Sequence, residues 1–313
     1  MKKILILSAE RLGDTLFLTP ALAFIKQHAP DVLVDMIALT PLAGAVLKNN
    51  PNLHQLLVLP DEDVIKATAN DYDAILIPHL SDEAKHYASK FSAKILENPY
   101  SHQIMPTAEK AIRFVAEVLE VQWNHQAIAY ELFPTAEENE YVRKSLVDKQ
   151  VDVTDNMIVA IHLGCHGLAK KHSSWFKKSK HEKVWPLKNF IKLGKKLSLV
   201  YPNVRIVLTG SKAEEGLAKK FLKKVPSAIS LVNQTNILQL AALLKQSKLF
   251  ICSDTGALHV ACAMNTNLIG LYGPTDLSQT GPYPPSQHFV VLKNADLTQL
   301  SVDTVFEAAK KFL

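Results

Sequence analysis

Apolar and polar positions alternate in blocks along the chain. The runs KKILILS, VLVDMIAL, YDAILIPH, MIVAIHLG, VRIVLTGS, KLFICS and NLIGLYG are short, rich in Ile, Leu and Val, and bounded by polar or turn residues, which predicts buried strands. Between them the period changes. GDTLFLTPALAFIKQH places apolar residues at 16, 17, 21, 24 and 25, and TAEKAIRFVAEVLEV places Ile112, Val115, Val118 and Leu119 on one face. LKNFIKLGKKLSLVYP, NILQLAALLKQS, TGALHVACAM and LSVDTVFEAAKKF are predicted helices as well, and HQAIAYEL a short strand.

Strands and helices that alternate twice over, with near-continuous apolar strands, predict parallel sheets covered on both faces. The expected fold class is α/β, with two facing Rossmann-like domains and a central cleft at the carboxyl ends of the strands. In FPTAEENEYVRKSLVDKQVDVTDN, Thr135 and Glu138 form a capping box for one charged helix, and the polar tail after it reads as a linker. The boundary is therefore expected near 150. Residues 1–150 form the first domain and 151–300 the second, with a C-terminal helix over 301–313 packing back toward the first.

Composition narrows the class. Hydrophobic residues are 48% and charged residues 21% of 313, a globular balance. The apolar run Ile4–Leu7 is interrupted by Glu10, Arg11 and Asp14, too short for a secretory leader, so a cytoplasmic protein is expected. Cys165, Cys252 and Cys262 lack paired metal spacing and read as reduced thiols. The formal charge is +5, and its excess is concentrated in KKHSSWFKKSKHEK, residues 170–183, with six lysines and two histidines against one glutamate. That run is either a solvated surface loop or a contact for phosphates or a membrane surface.

Candidate chemistry lies where strands turn into helices. In ICSDTGALHVACA, Asp254, Thr255 and Gly256 separate a strand from a helix expected to start near Ala257. The first amides of a helix have no internal partners and sit at the positive end of its dipole, which suits a diphosphate. Gly256 allows close approach, Thr255 offers a hydroxyl, and His259, one turn in, is placed to add a charge. An ordinary helix cap explains Asp and Thr equally well. RLGDTL repeats the logic after the first strand, where Asp14 is either a general base at the cleft or a first-turn acid. KVWP, residues 183–186, offers Lys183 for a phosphate, or Trp185 as a core anchor. No G-x-G-x-x-G follows the first strand or VAIHLG, which argues against a dehydrogenase.

Together, Gly13-Asp14, Lys183-Val184-Trp185-Pro186 and Asp254-Thr255-Gly256-Ala257-Leu258-His259 resemble the ADP-heptose:lipopolysaccharide heptosyltransferases, glycosyltransferase family 9. LTPALAFIKQHAP, NQTNILQLAALLKQSKLFICS and NLIGLYGPTD extend the resemblance from residue 1 to about 280. It implies a GT-B fold and inverting transfer of heptose from ADP-heptose to the lipopolysaccharide inner core, with no cofactor and no metal. It assigns Asp14 as general base, Lys183 near the leaving group, and Thr255, Gly256, Ala257 and Leu258 as the diphosphate turn beside Asp254 and His259. Glu214, four residues after Gly210, matches the acid on the donor ribose, and Thr235 the adenine pocket. Gly13 and Thr15 fall on the acceptor side. The implied partners are a nucleotide-sugar donor and a lipid-linked acceptor, with peripheral contact at the inner membrane face and no nucleic acid. Another nucleotide sugar or surface-glycan acceptor, a nucleotide-sugar epimerase, and a non-catalytic nucleotide-binding module are the alternatives.

Overall fold

The computed structural model describes residues 1–164 and 184–313, so Cys165 and the whole lysine-rich run, Lys183 included, lie outside the described residues. The chain divides into two compact units, one of Met1–Phe133 with Leu277–Pro284, the other of Pro134–Asp276 with Pro285–Leu313.

The first unit runs β1 (Lys3–Leu7), α1 (Leu12–Leu16), α2 (Thr19–His28), β2 (Leu33–Ala38), α3 (Pro41–Leu47), β3 (Gln55–Val58), α4 (Glu62–Thr68), β4 (Ala74–Ile77), α5 (Asp82–Ala88), β5 (Lys94–Glu97) and α6 (Thr107–Val118). Its strands are parallel, in the order β3-β2-β1-β4-β5. Alternate residues of β1 and β2 feed two cores, with Ile4, Ile6, Val34 and Met36 on one face and Leu5, Leu7 and Ile37 on the other. That is why these strands read as unbroken apolar runs.

The second unit runs α7 (Ala136–Val147), β6 (Met157–His162), α8 (Leu187–Val200), β7 (Val204–Thr209), a 3-10 turn (Lys212–Glu214), α9 (Glu215–Leu222), β8 (Ile229–Ser230), α10 (Ile237–Gln246), β9 (Leu249–Ser253), α11 (Gly256–Ala263) and β10 (Leu268–Tyr272). After α12 (Leu277–Thr280), which belongs to the first unit, it ends with β11 (Phe289–Lys293) and α13 (Val302–Ala309). Its parallel sheet has the order β11-β10-β9-β6-β7-β8. No helix among the described residues is long and apolar enough to cross a membrane.

Four expectations change. The predicted first helix is two, because Pro20 has no N–H to donate and sits in the first turn of α2, restarting the helix after Phe17 and Leu18. HQAIAYEL joins no sheet. The first unit ends at Phe133 rather than near 150, since α7 carries the expected Thr135–Glu138 capping box but buries Val142 and Leu146 in the second unit's core. The C-terminal helix does not return to the first unit. Val305, Phe306, Ala308 and Ala309 of α13 are buried in the core shared with α8. Residues 277–284 return instead: Thr107 Oγ1 donates to Gln279 O at 3.1 Å, Lys110 Nζ to Gln279 Oε1 at 2.9 Å, and the Tyr283 ring lies 5.6 Å from that of Tyr130.

Candidate functional site

Strand order reverses between β6 and β9 in the second unit and between β1 and β4 in the first. Open parallel sheets bind ligands outside the carboxyl ends of the strands at such points. The D-T-G turn follows β9, and the G-D segment follows β1.

In the second unit, Asp254 N donates to Leu271 O at 3.1 Å and ties the turn to β10. Thr255 is the extended N-cap of α11, with φ −157° and ψ 158°, yet its side chain makes no cap hydrogen bond. The ordinary-cap reading therefore fails at the hydroxyl. Leu258 N is already bonded to Thr255 O at 2.9 Å, so the helix-start donors left for a ligand are the Gly256 and Ala257 amides. Leu258 serves packing: a Cβ on Gly270 would lie 3.0 Å from its Cδ1. His259 corrects an expectation. It is buried, and burial pushes its pKa down to about 4, so it is neutral at ordinary pH and adds no charge. Cys252 and Cys262 are buried and form no disulfide, and burial, with Cys262 and Asp254 nearby, raises the Cys252 pKa.

A second group gathers past β6 and β7. Glu214 is buried and closes a capping box, its Oε2 accepting from Ser211 N and Ser211 Oγ, each at 2.7 Å. Gly164 and Gly210 flank it. Gly210 has φ +155°, and a Cβ there would meet Glu214 Cβ at 2.9 Å, so only glycine fits. His162, the last residue of β6, sets Nδ1 3.2 Å from Thr209 Oγ1. Burial lowers its pKa while the Glu214 charge pulls it back up. Asn233 N donates to Gly210 O at 2.8 Å, and Asn233 Nδ2 to Glu215 Oε1 at 2.8 Å. That ties the turn carrying half-buried Thr235 to the Gly210–Glu215 segment. Trp185 is a core anchor, its Nε1 donating to Leu300 O at 2.9 Å and its ring edge-on to Phe190.

In the first unit, Ser8 Oγ accepts from Leu39 N at 3.0 Å and donates to Ala9 O at 2.8 Å, which fixes the loop after β1. Thr15 is fully buried and donates to Ala9 O at 3.1 Å, so it braces this loop. Gly13 and Asp14 are half-buried on α1. Among the described residues, no side-chain hydrogen bond or ion pair engages the Asp14 carboxylate. Asp35, which no motif announced, behaves oppositely. It is fully buried, with Lys3 Nζ at 2.9 Å, His54 Nδ1 at 2.7 Å and the Tyr72 hydroxyl at 3.0 Å. Lys3 opens β1, while His54 and Tyr72 precede β3 and β4, so the cluster lies toward the amino ends of the strands, away from Asp14. An acid saturated by three partners braces a fold, and an unengaged one is available to a ligand.

Residues 172–309 match the family model for glycosyltransferase family 9 (heptosyltransferase). Lipooligosaccharide heptosyltransferase 2 of Haemophilus influenzae is 26% identical over 123 residues, 38% of this chain and 35% of that protein. The chain thus spans about a third of the length of the curated relatives it matches first. The crystal structure of the glycosyl transferase family 9 from Veillonella parvula superposes with a TM-score of 0.84 at 18% identity, covering 99% of this chain and 97% of that one. An E. coli heptosyltransferase solved with ADP superposes with a TM-score of 0.71 at 18% identity, covering 99% and 100%. Two parallel α/β units, a family match over residues 172–309 that includes the D-T-G turn, and these likenesses agree: the chain resembles glycosyltransferase family 9, the heptosyltransferases, in the sequence of its second half and in its fold.

Proposed function

We propose that the chain is an inverting glycosyltransferase that moves heptose from ADP-heptose to the inner core of lipopolysaccharide at the cytoplasmic face of the inner membrane. The observation that carries this reading is the turn at Asp254–Gly256. It sits at the sheet's switch point, with a hydroxyl that caps nothing and two helix-start amides without an internal partner. Such a turn suits the diphosphate of a nucleotide sugar. The E. coli relative solved with ADP carries a ligand of that class.

Asp14 takes the proton from an acceptor sugar hydroxyl. The oxygen attacks the anomeric carbon from the face opposite ADP, the glycosidic bond forms, and the bond to the diphosphate oxygen breaks with inversion. Negative charge grows on the departing diphosphate, where the Gly256 and Ala257 amides, the Thr255 hydroxyl and Lys183 stabilise it. Fixed donors do the electrostatic work, so the reaction needs no metal. Glu214, past β7, and Thr235, past β8, sit on turns that Asn233 ties together and take the ribose and adenine.

A thermal-shift screen of nucleoside diphosphates and their sugars tests the donor. ADP and ADP-heptose raise Tm selectively, because a ligand stabilises only the state it binds. Equal shifts with UDP or GDP forms would overturn the donor class. Conversion of the donor sugar without any acceptor would identify an epimerase instead.

A further inference from the structure

Helices α8 and α9 lie side by side over one face of the second sheet. Phe190, Leu193 and Leu197 of α8, with Ala218 and Phe221 of α9, enter the same core. The helices pack closely where Gly194 meets Phe221, since a Cβ on Gly194 would lie 2.7 Å from Phe221 Cζ. Ser198 Oγ and Ser227 Oγ are 3.1 Å apart across the same seam.

The backs of these helices are uniform. Lys188, Lys192, Lys195 and Leu199 are exposed on α8, and their spacing places them on one stripe opposite its buried residues. Lys219 and Lys220 of α9 and Lys223 at its C-cap are exposed in the same way. Among the described residues none of these lysines is ion-paired. The acids nearby are already engaged: Asp303 by Lys196 at 2.7 Å, Glu307 by Lys310 at 2.8 Å and Glu215 by Asn233 at 2.8 Å. At one end of the stripe Leu199 is 81% exposed and Val200 49%.

We propose that this face docks the second unit on an anionic phospholipid bilayer, with the lysines over the head groups and Leu199 and Val200 in the interface. A run of unpaired ammonium groups on two neighbouring helices gains from a negatively charged plane. Lysine stems lie along an apolar boundary while their charges stay wet. An exposed leucine beside them gains by leaving water for the head-group region, as it does in interfacial helices. Duplex phosphates would attract the lysines but leave Leu199 in water, and no aromatic residue stands among the outward positions to stack on bases. This inference rests on and deepens the membrane-face part of the proposed function, and uses none of its donor chemistry.

Flotation of the full chain with phosphatidylcholine vesicles, with and without phosphatidylglycerol, tests it. The chain floats only with the anionic vesicles, and salt releases it. The variant Lys192→Glu/Lys195→Glu/Lys220→Glu/Lys223→Glu binds them about tenfold more weakly or worse. Leu199→Ser weakens binding severalfold with every charge kept, and Lys66→Glu, in the first unit, leaves it unchanged. An unaltered melting curve with ADP shows that the variants remain folded. Wild-type binding by the fourfold variant, failure of the native chain to float, or binding to a duplex oligonucleotide in preference to vesicles would each overturn the proposal. Because flotation needs no donor, its outcome and that of the nucleotide screen are read separately.

Discussion

The Glu214 carboxylate lies against the backbone of Gly164: a Cβ on Gly164 would stand 2.5 Å from Oε1 and 2.6 Å from Cγ. The same carboxylate holds Ser211 through Oε2, so it cannot swing aside without breaking two hydrogen bonds. Gly164→Ala should therefore displace Glu214. The expected result is a Tm lower by about 2–6 °C and ADP binding weakened about tenfold, measured by calorimetry. A Tm loss with unchanged ADP affinity would remove Glu214 from the nucleotide site.

Thr255 separates capping from ligand binding. Replacing a true N-cap threonine costs about 1 kcal/mol. The Thr255 hydroxyl makes no cap bond, so Thr255→Val should cost less than about 0.5 kcal/mol in denaturant unfolding. The same variant should bind ADP severalfold more weakly, by about the value of one hydrogen bond to a charged group.

Among the described residues nothing engages the Asp14 carboxylate, so its removal should leave the fold intact. For Asp14→Asn the expected loss in kcat is about a hundredfold or more, with ADP binding and Tm unchanged. Near-normal turnover in a single-turnover assay would reassign the base.

If fixed amides and a lysine carry the leaving-group charge, chelation should not matter. Turnover measured with and without excess EDTA is expected to agree. A loss restored by a divalent cation would require a different account of the diphosphate site.

The buried histidine sets a pH dependence. His259 titrates near 6.5 in the unfolded chain and about 4 in the folded one. Between those values the unfolded state binds more protons, so stability is complete above about pH 6.5 and falls as pH drops toward 4. The difference is on the order of 3 kcal/mol. His162 is lowered in the same direction, so wild type declines through both groups. Urea midpoints for His259→Gln should fall less steeply across that window.

Most of the strand pattern was legible in the sequence, because buried parallel strands leave unbroken apolar runs. Asp254-Thr255-Gly256 and Gly13-Asp14 are local features, so spacing located the turns, while their part in ligand binding belongs to the proposal. What escaped depends on contacts between distant residues. The role of His259 turned on burial, which its position one turn into a helix does not reveal. Asp35 interrupts an apolar strand as a single letter, and its partners Lys3, His54 and Tyr72 come from three other places in the chain. The boundary at Phe133 escaped because the capping box of α7 marks where a helix starts, not which core receives it.

The return of residues 277–284 bears on any attempt to take the protein apart. The first unit is not one continuous piece of chain, because Gln279 supplies acceptors for Lys110 and Thr107, and Tyr283 covers Tyr130. A fragment ending at Phe133 would keep a buried ammonium stripped of one acceptor and a core tyrosine bared to water. Chimeras that exchange halves between relatives would therefore need three splice points rather than one, so that the eight-residue patch comes from the same parent as the first unit.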